Sequence, residues 1–339
     1  MQIVYLSNRP SVLAETWEHV RHHMPWVERA LVVAPPEQHG DFGDIDGVEL
    51  LDECEVSGRS TSQLAALDHV RRNVTLRRAT IAGDRVDEVF LLSDDDYRPI
   101  KDVPRTLFGD DQRDIGFYCH DLASWPGHST HFDEAQHVTG QLLSYLGTPR
   151  RCYGSHMPQI IRRDLWQDAF ATLDTLRDDN MVCEWALYFN LGLARHAERF
   201  GEPQVFQTMC WPPHLHEWQL RERPREYSFE NFYPEFYRPG NLFAGLPTAL
   251  DPDRAAKLGV EKLLRWSELG RQTGRLDFRR TPADPWTKGH RGRRATFGLL
   301  RSMRKAYDYL SIEERDSIAE LQGSLDRIEA RLDERDTDS

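Results

Sequence analysis

Over the first hundred residues, short apolar runs alternate with longer stretches of helical spacing, and this alternation constrains the fold more than any other feature. Gln2-Ile3-Val4-Tyr5-Leu6 is an apolar run that ends at Ser7-Asn8-Arg9-Pro10. A helix is predicted over residues 11–23, and a second run, Ala30-Leu31-Val32-Val33-Ala34, is stopped by Pro35 and Pro36. Residues 63–78 carry Leu64, Leu67, Val70 and Val74 near one helical face, and Glu88-Val89-Phe90-Leu91-Leu92 reads as a third strand. Strands that alternate with helices imply an α/β fold, a mostly parallel sheet flanked by helices on both faces. Ligands of such sheets bind beyond the carboxyl ends of the strands. The loops at Ser7, Ser57 and Ser93 are therefore expected to face one crevice.

The middle of the chain is less regular. Residues 115–119 read as a strand, 120–137 as a long loop holding four of the fourteen histidines, and 205–210 as a strand. Helices are predicted over 164–177 and 181–199, and 211–250, rich in Pro and aromatics, as ordered loops. Further on, residues 288–305 concentrate Lys and Arg, and Ile318, Leu321, Leu325, Ile328 and Leu332 fall at heptad spacing. The expected division is an α/β domain over 1–250 and a mainly helical extension over 251–339, its helix offering a homodimer contact.

A net charge of -12, from 43 basic and 55 acidic residues, argues against nucleic-acid binding, which depends on cations neutralising phosphates. The five cysteines, Cys54, Cys119, Cys152, Cys183 and Cys210, contain no C-x-x-C pair and suit a reducing cytoplasm. No basic leader precedes the first strand, and no apolar run is long enough to span a bilayer, so a cytoplasmic protein is expected.

The sharpest motif is Val89-Phe90-Leu91-Leu92-Ser93-Asp94-Asp95-Asp96, an apolar strand running into three carboxylates. Adjacent like charges repel and resist burial, so a cation is expected to compensate them. Hard oxygen ligands at a strand end suit Mn²⁺ or Mg²⁺, which bridge to phosphates; a solvated acidic turn is the plain alternative. With this motif the chain resembles the GT-A glycosyltransferases, whose hallmark is an apolar strand ending in D-x-D. The resemblance runs over residues 1–216 in element order. It implies a nucleotide-sugar-binding catalytic domain in which Asp96 contacts the metal, Asp94 contacts the metal or the ribose, and Asp95 belongs to the same nucleotide site. Ser7, Asn8 and Arg9 would then meet the nucleotide base. Ser57-Gly58-Arg59-Ser60 precedes a helix, where Arg59 would pair with the diphosphate; an ordinary capped helix start, with Ser60 or Thr61 as the cap, explains the same string.

Three further groups qualify. Glu184, in Met181-Val182-Cys183-Glu184-Trp185, stands where inverting members of that class place an acidic base, and Asp179 is its rival. His214 and His216, after Trp211-Pro212-Pro213, are candidates for a further metal ligand. Tyr153-Gly154-Ser155-His156-Met157-Pro158, followed by Arg162 and Arg163, is loosely similar to a segment of the Stealth-type capsule enzymes, which transfer sugar-1-phosphates. That resemblance would give His156 and the arginines to the transferred phosphate. The aromatic string 231–240 suits core packing first and an acceptor platform second. The basic stretch 288–305, with apolar residues interleaved, suits contact with an anionic membrane as well as an ordinary solvated face, so the inner face of the membrane stays open as a location.

The expected function is metal-dependent transfer of a sugar from a UDP- or GDP-linked donor to a glycan or lipid-linked acceptor hydroxyl, in bacterial polysaccharide or glycolipid synthesis. Sugar-1-phosphate transfer and a non-catalytic sugar-binding or assembly role are the alternatives.

Overall fold

The structure is a computed structural model that describes residues 1–110, 112–125, 127, 129–209, 227–248, and positions 257, 258, 261, 262 and 265. Cys210, His214, His216, the basic stretch and the heptad segment lie outside the described residues. In chain order the strands are β1 (Gln2–Leu6), β2 (Arg29–Ala34), β3 (Val48–Asp52), β4 (Val89–Asp94), β5 (Tyr97–Pro99), β6 (Phe117–Tyr118), β7 (His120–Asp121), β8 (Arg151–Cys152), β9 (Gln159–Arg162), β10 (Gln204–Val205), β11 (Thr208–Met209) and β12 (Phe229–Asn231). The helices are α1 (Pro10–His23), α2 (His39–Phe42), α3 (Glu53–Ser57), α4 (Thr61–Ala65), α5 (His69–Ala82), α6 (His131–Tyr145), α7 (Arg163–Asp174) and α8 (Glu184–Arg195).

The main sheet has the order β3-β2-β1-β4-β9, parallel through its first four strands and closed by antiparallel β9. Its central strands are the apolar runs of the sequence. Ile3, Val4, Tyr5, Leu31, Val32, Phe90, Leu91 and Leu92 are all buried. Each such side chain contributes about 1.5–3 kcal/mol of burial free energy, which is why these runs occupy the middle of the sheet. The chain steps outward from β1 to β2 to β3, then returns to place β4 on the other side of β1. That reversal sets a topological switch point between β1 and β4, where the loops after the two strands part and leave a crevice.

The structure departs from the expectations at several elements. The strand β3 was not anticipated, which makes 89–94 the fourth strand rather than the third. The helix expected over 63–78 is two helices, because Asp68 caps a new one: its Oδ1 accepts from the backbone N–H groups of Val70 and Arg71, both at 3.0 Å. The expected loop over 120–137 contains the start of α6, opened by a capping box in which Thr130 and Asp133 exchange hydrogen bonds. The strand expected over 115–119 shrinks to Phe117–Tyr118, and 205–210 divides between β10 and β11.

A second cluster lies against the outer side of α1, where Val12 meets Ile100, Met209, Phe232, Tyr237 and Phe243. The small sheet β11-β12-β5 carries it. Arg98 is fully buried there, donating from Nη2 to Glu230 Oε1 at 2.7 Å, and Lys262 Nζ reaches the same oxygen at 2.8 Å. Arg98 also stacks on Phe232, its Cζ 3.8 Å from the ring centroid. The aromatic string 231–240 therefore packs as core, and residue 262 of the expected extension is joined to the α/β domain by a buried ion pair.

Candidate active site at the carboxyl end of the sheet

A cavity of about 340 Å³ opens at the carboxyl ends of the four parallel strands. The end of β1 and the turn after it supply Leu6, Ser7, Asn8 and Arg9; β2 supplies Val33, the start of α3 supplies Glu53, and β4 and its following turn supply Asp94, Asp95 and Asp96. The remaining wall is one stripe of α5: His69, Arg72, Asn73 and Leu76. Positions i, i+3, i+4 and i+7 share a helical face, so the opposite face is left for Val70, Val74 and Ile81 to bury against the core.

The carboxylates divide between two arginines. Arg9 spans two of them, pairing through Nη2 with Asp95 and, at 3.1 Å, with Asp96. Ser7 Oγ donates to Asp95 Oδ2 at 2.6 Å. Arg77, buried beneath the site, donates to Asp94 from Nη2 and to Glu184 from Nη1. Its guanidinium lies on Trp185, with Cζ 4.4 Å from the ring centroid. Tyr97 also donates its phenolic O–H to Asp94. Burial and the adjacent Asp94 charge raise the Tyr97 phenol well above its usual range, so it stays a donor.

Asp96 is the least satisfied of the three. It is buried, and its Oδ1 has no hydrogen-bond partner. Burial first, and then the charge of Asp94, push its carboxyl up to about 7. Two arginines thus supply the compensation expected from a metal, except at one buried lone pair. An oxygen in that state can accept a cation or a proton with little competition from the protein.

The expected site residues fall into two groups. Ser7, Asn8, Arg9, Asp94, Asp95 and Asp96 meet on one cavity wall. Arg59 is exposed, and the signals around it are accounted for by caps: Gly58 ends α3 in the left-handed region at φ 63°, and Ser60 forms a capping box with Gln63. Glu184 stands at the first position of α8, buried, with Oε1 engaged by Arg77 rather than turned to the cavity. Asp179 accepts from Arg177 Nε at 3.0 Å and from Arg71 Nη2 at 3.3 Å, on the far side of α5 from the cavity stripe.

His156 packs edge-on to Tyr97 with centroids 5.6 Å apart, behind Asp94. It holds a left-handed backbone, φ 53°, unusual for a residue with a side chain. Burial lowers its imidazole to about 4, so the ring is neutral at ordinary pH. Arg162 and Arg163 are at the amino end of β4: Arg162 pairs across from Val89 and binds Asp114, and Arg163 donates to the Gly83 and Val86 carbonyls. They lie at the opposite end of the sheet from the carboxylates, so the phosphate role expected of them is not supported by their position.

His69, Arg72 and Asn73 were missed by sequence reasoning. Their spacing, 69, 72, 73 and 76, marks one helical face, which the apolar stripe of the same helix masks in the sequence.

No protein-family model matches the chain, and no curated protein sequence matches it. Among solved structures, the chain is similar to the galactosyltransferase LgtC in two crystal structures. An active-site mutant of LgtC is 12% identical with a TM-score of 0.39, the match covering 77% of this chain and 96% of LgtC. LgtC in complex with donor and acceptor sugar analogues is 12% identical with a TM-score of 0.38, over the same shares of both chains. No helix among the described residues is long and apolar enough to cross a membrane.

Proposed function

We propose that this protein is a GT-A-like glycosyltransferase that takes a sugar from a nucleotide-sugar donor held in the cavity at the carboxyl end of the sheet. The observation that carries the reading is the convergence of Asp94, Asp95 and Asp96 with Ser7, Asn8 and Arg9 at the switch point between β1 and β4. The apolar wall of Leu6 and Val33 suits a base. The polar stripe of His69, Arg72 and Asn73 suits a ribose and phosphates, with Arg72 and Arg9 as the cations.

The residues fit a divalent cation, Mn²⁺ or Mg²⁺, through the unpartnered Oδ1 of Asp96 with Asp94 beside it. When bound, such an ion neutralises charge on a departing diphosphate. Arg9 leaves Asp96 for the donor's phosphates, and Ser7 keeps Asp95 oriented while it does so. Arg77 fixes the Asp94 carboxylate from below, and Glu184 acts through Arg77 as a positioning residue. Tyr97, kept protonated, holds the other oxygen of Asp94.

Incubation of the purified protein with UDP- and GDP-linked sugars and Mn²⁺ tests the reading. Release of a nucleoside diphosphate, lost in Asp94→Asn and Asp96→Asn, supports it. Release of a nucleoside monophosphate instead assigns sugar-1-phosphate transfer, and no turnover with any donor counts against an enzyme at this site.

A further inference from the structure

Close to His156 lies a second cluster that the sugar-transfer chemistry does not use. The short strands β7 and β8 pair antiparallel with His120 opposite Cys152, and the Cys119 N–H donates to the Cys152 carbonyl at 2.9 Å. This pairing brings Cys119, His120 and Cys152 together, all three buried, with one potential ligand atom from each within 4.8 Å of the others. Cys119 Sγ is 3.2 Å from His120 Nδ1.

We propose that Cys119, His120 and Cys152 form a binding site for a soft divalent cation of the Zn²⁺ class, separate from the hard-oxygen site at Asp94 and Asp96. The donor set is the first reason. Two thiolates and an imidazole favour Zn²⁺ over Mg²⁺ or Mn²⁺, and ligand bonds of about 2.3 Å to sulfur and 2.0–2.1 Å to nitrogen require ligand atoms roughly 3–4 Å apart. The cluster is already within about an ångström of that spacing.

The surroundings of His120 are the second reason. Its ring stacks on Trp125, with centroids 5.0 Å apart and planes 26° from parallel. Its Nε2 and Oε1 of the neighbouring Gln136 are both buried and face only each other as partners, outside ordinary hydrogen-bond geometry. With Nδ1 on a metal, Nε2 carries the proton and Gln136 Oε1 is the acceptor beside it, the arrangement that orients a ligating histidine. That tautomer leaves the Nδ1 lone pair, 3.2 Å from Cys119 Sγ, directed at the cluster.

Such an ion stabilises the turn that carries His156. Cys152 begins that turn, and Cys119 Sγ also approaches the Gly154 carbonyl at 3.6 Å. A cation shared by β7 and β8 fixes the left-handed His156 against Tyr97, and through Tyr97 the carboxylate of Asp94. Binding releases the thiol protons to solvent, as thiolates are the ligands.

The test is metal analysis of the full-length protein purified under reducing conditions from zinc-supplemented cells, with Co²⁺ substitution as a second readout. The expected result is about one Zn²⁺ per chain, and a thiolate-to-cobalt charge-transfer absorption in the near ultraviolet when Co²⁺ replaces it. Both are expected to disappear in Cys119→Ser and Cys152→Ser and to persist in Cys54→Ser. A wild-type readout guards against misfolded variants: the cobalt band is expected to vanish on addition of a chelator while the circular dichroism stays that of the folded chain. Wild type without zinc and without the cobalt band overturns the proposal. So does zinc retained in both serine variants, or a Cys119–Cys152 disulfide in the native protein. None of these outcomes depends on sugar transfer.

Discussion

At the scale of single residues, Asp96 concentrates the cost of the site. Its carboxyl titrates at about 7 in the fold against an ordinary value of 3.8, because burial and Asp94 penalise its charge. The folded protein therefore binds more protons than the unfolded chain between these values. The stabilising contribution of that proton is complete below pH 3.8 and is lost as pH rises through about 7. Asp96→Asn removes the charge while keeping the shape. The variant is expected to match wild type in stability near pH 4 and to exceed it at pH 8 by up to about 4 kcal/mol, since a tenfold difference in proton affinity between the folded and unfolded states is worth about 1.36 kcal/mol. Denaturant unfolding of both proteins at the two pH values measures it; a variant less stable than wild type at pH 8 contradicts the picture of a strained, functional carboxylate. Asp94 and Asp96 were legible from sequence because an apolar strand feeding three acids has few structural explanations. Glu184 was legible only as a candidate acidic base, with no sign of the arginine that binds it. Its partner Arg77 is 107 positions away, and no local spacing connects the two.

At the scale of elements, α5 does two jobs with two faces. One face buries Val70, Val74 and Ile81, and the other presents His69, Arg72 and Asn73 to the cavity, while Arg77 passes beneath to Asp94 and Glu184. Arg77→Met leaves two carboxylates near the core without their cation and is expected to cost about 3–5 kcal/mol in thermal or denaturant unfolding. Arg77→Lys should recover little, because a single ammonium does not reproduce the fork that reaches both acids; full recovery would mean charge alone matters there. The helix was only half legible, since its apolar stripe continued the pattern of residues 63–67. The break between α4 and α5 depends on Asp68 accepting two backbone hydrogen bonds, a choice a local pattern does not force. The short strands β5, β7 and β8 were the least legible, as two- and three-residue strands exist only through long-range pairing.

At the scale of the whole molecule, the parallel arrangement and a crevice at the carboxyl ends of β1 and β4 followed from the alternation of strands and helices, though the Ser57 loop expected there does not line it. The placement of β4 beside β1 did not, because sheet order is settled by packing between distant segments. The same applies to residue 262, which falls in the expected extension and reaches Glu230 of β12. Lys262 is buried, which lowers its ammonium to about 8, and it shares Glu230 with Arg98. Truncation after residue 250 is expected to destabilise the remaining domain by about 1–3 kcal/mol, the cost of a buried carboxylate losing one of its charged donors. An unchanged unfolding midpoint would show the domain to be independent of residues 251–339.

The cavity, the three carboxylates and the two arginines are one nucleotide-binding apparatus on this view. The most direct measurement is calorimetric titration of UDP and GDP, each with and without Mn²⁺, into wild type and Asp96→Asn. Binding of one nucleotide that is strengthened at least about tenfold by Mn²⁺, with the gain lost in Asp96→Asn, is the predicted result. Binding of neither nucleotide, or binding indifferent to both Mn²⁺ and Asp96, would contradict it and leave the acidic triplet as a structural turn neutralised by Arg9 and Arg77.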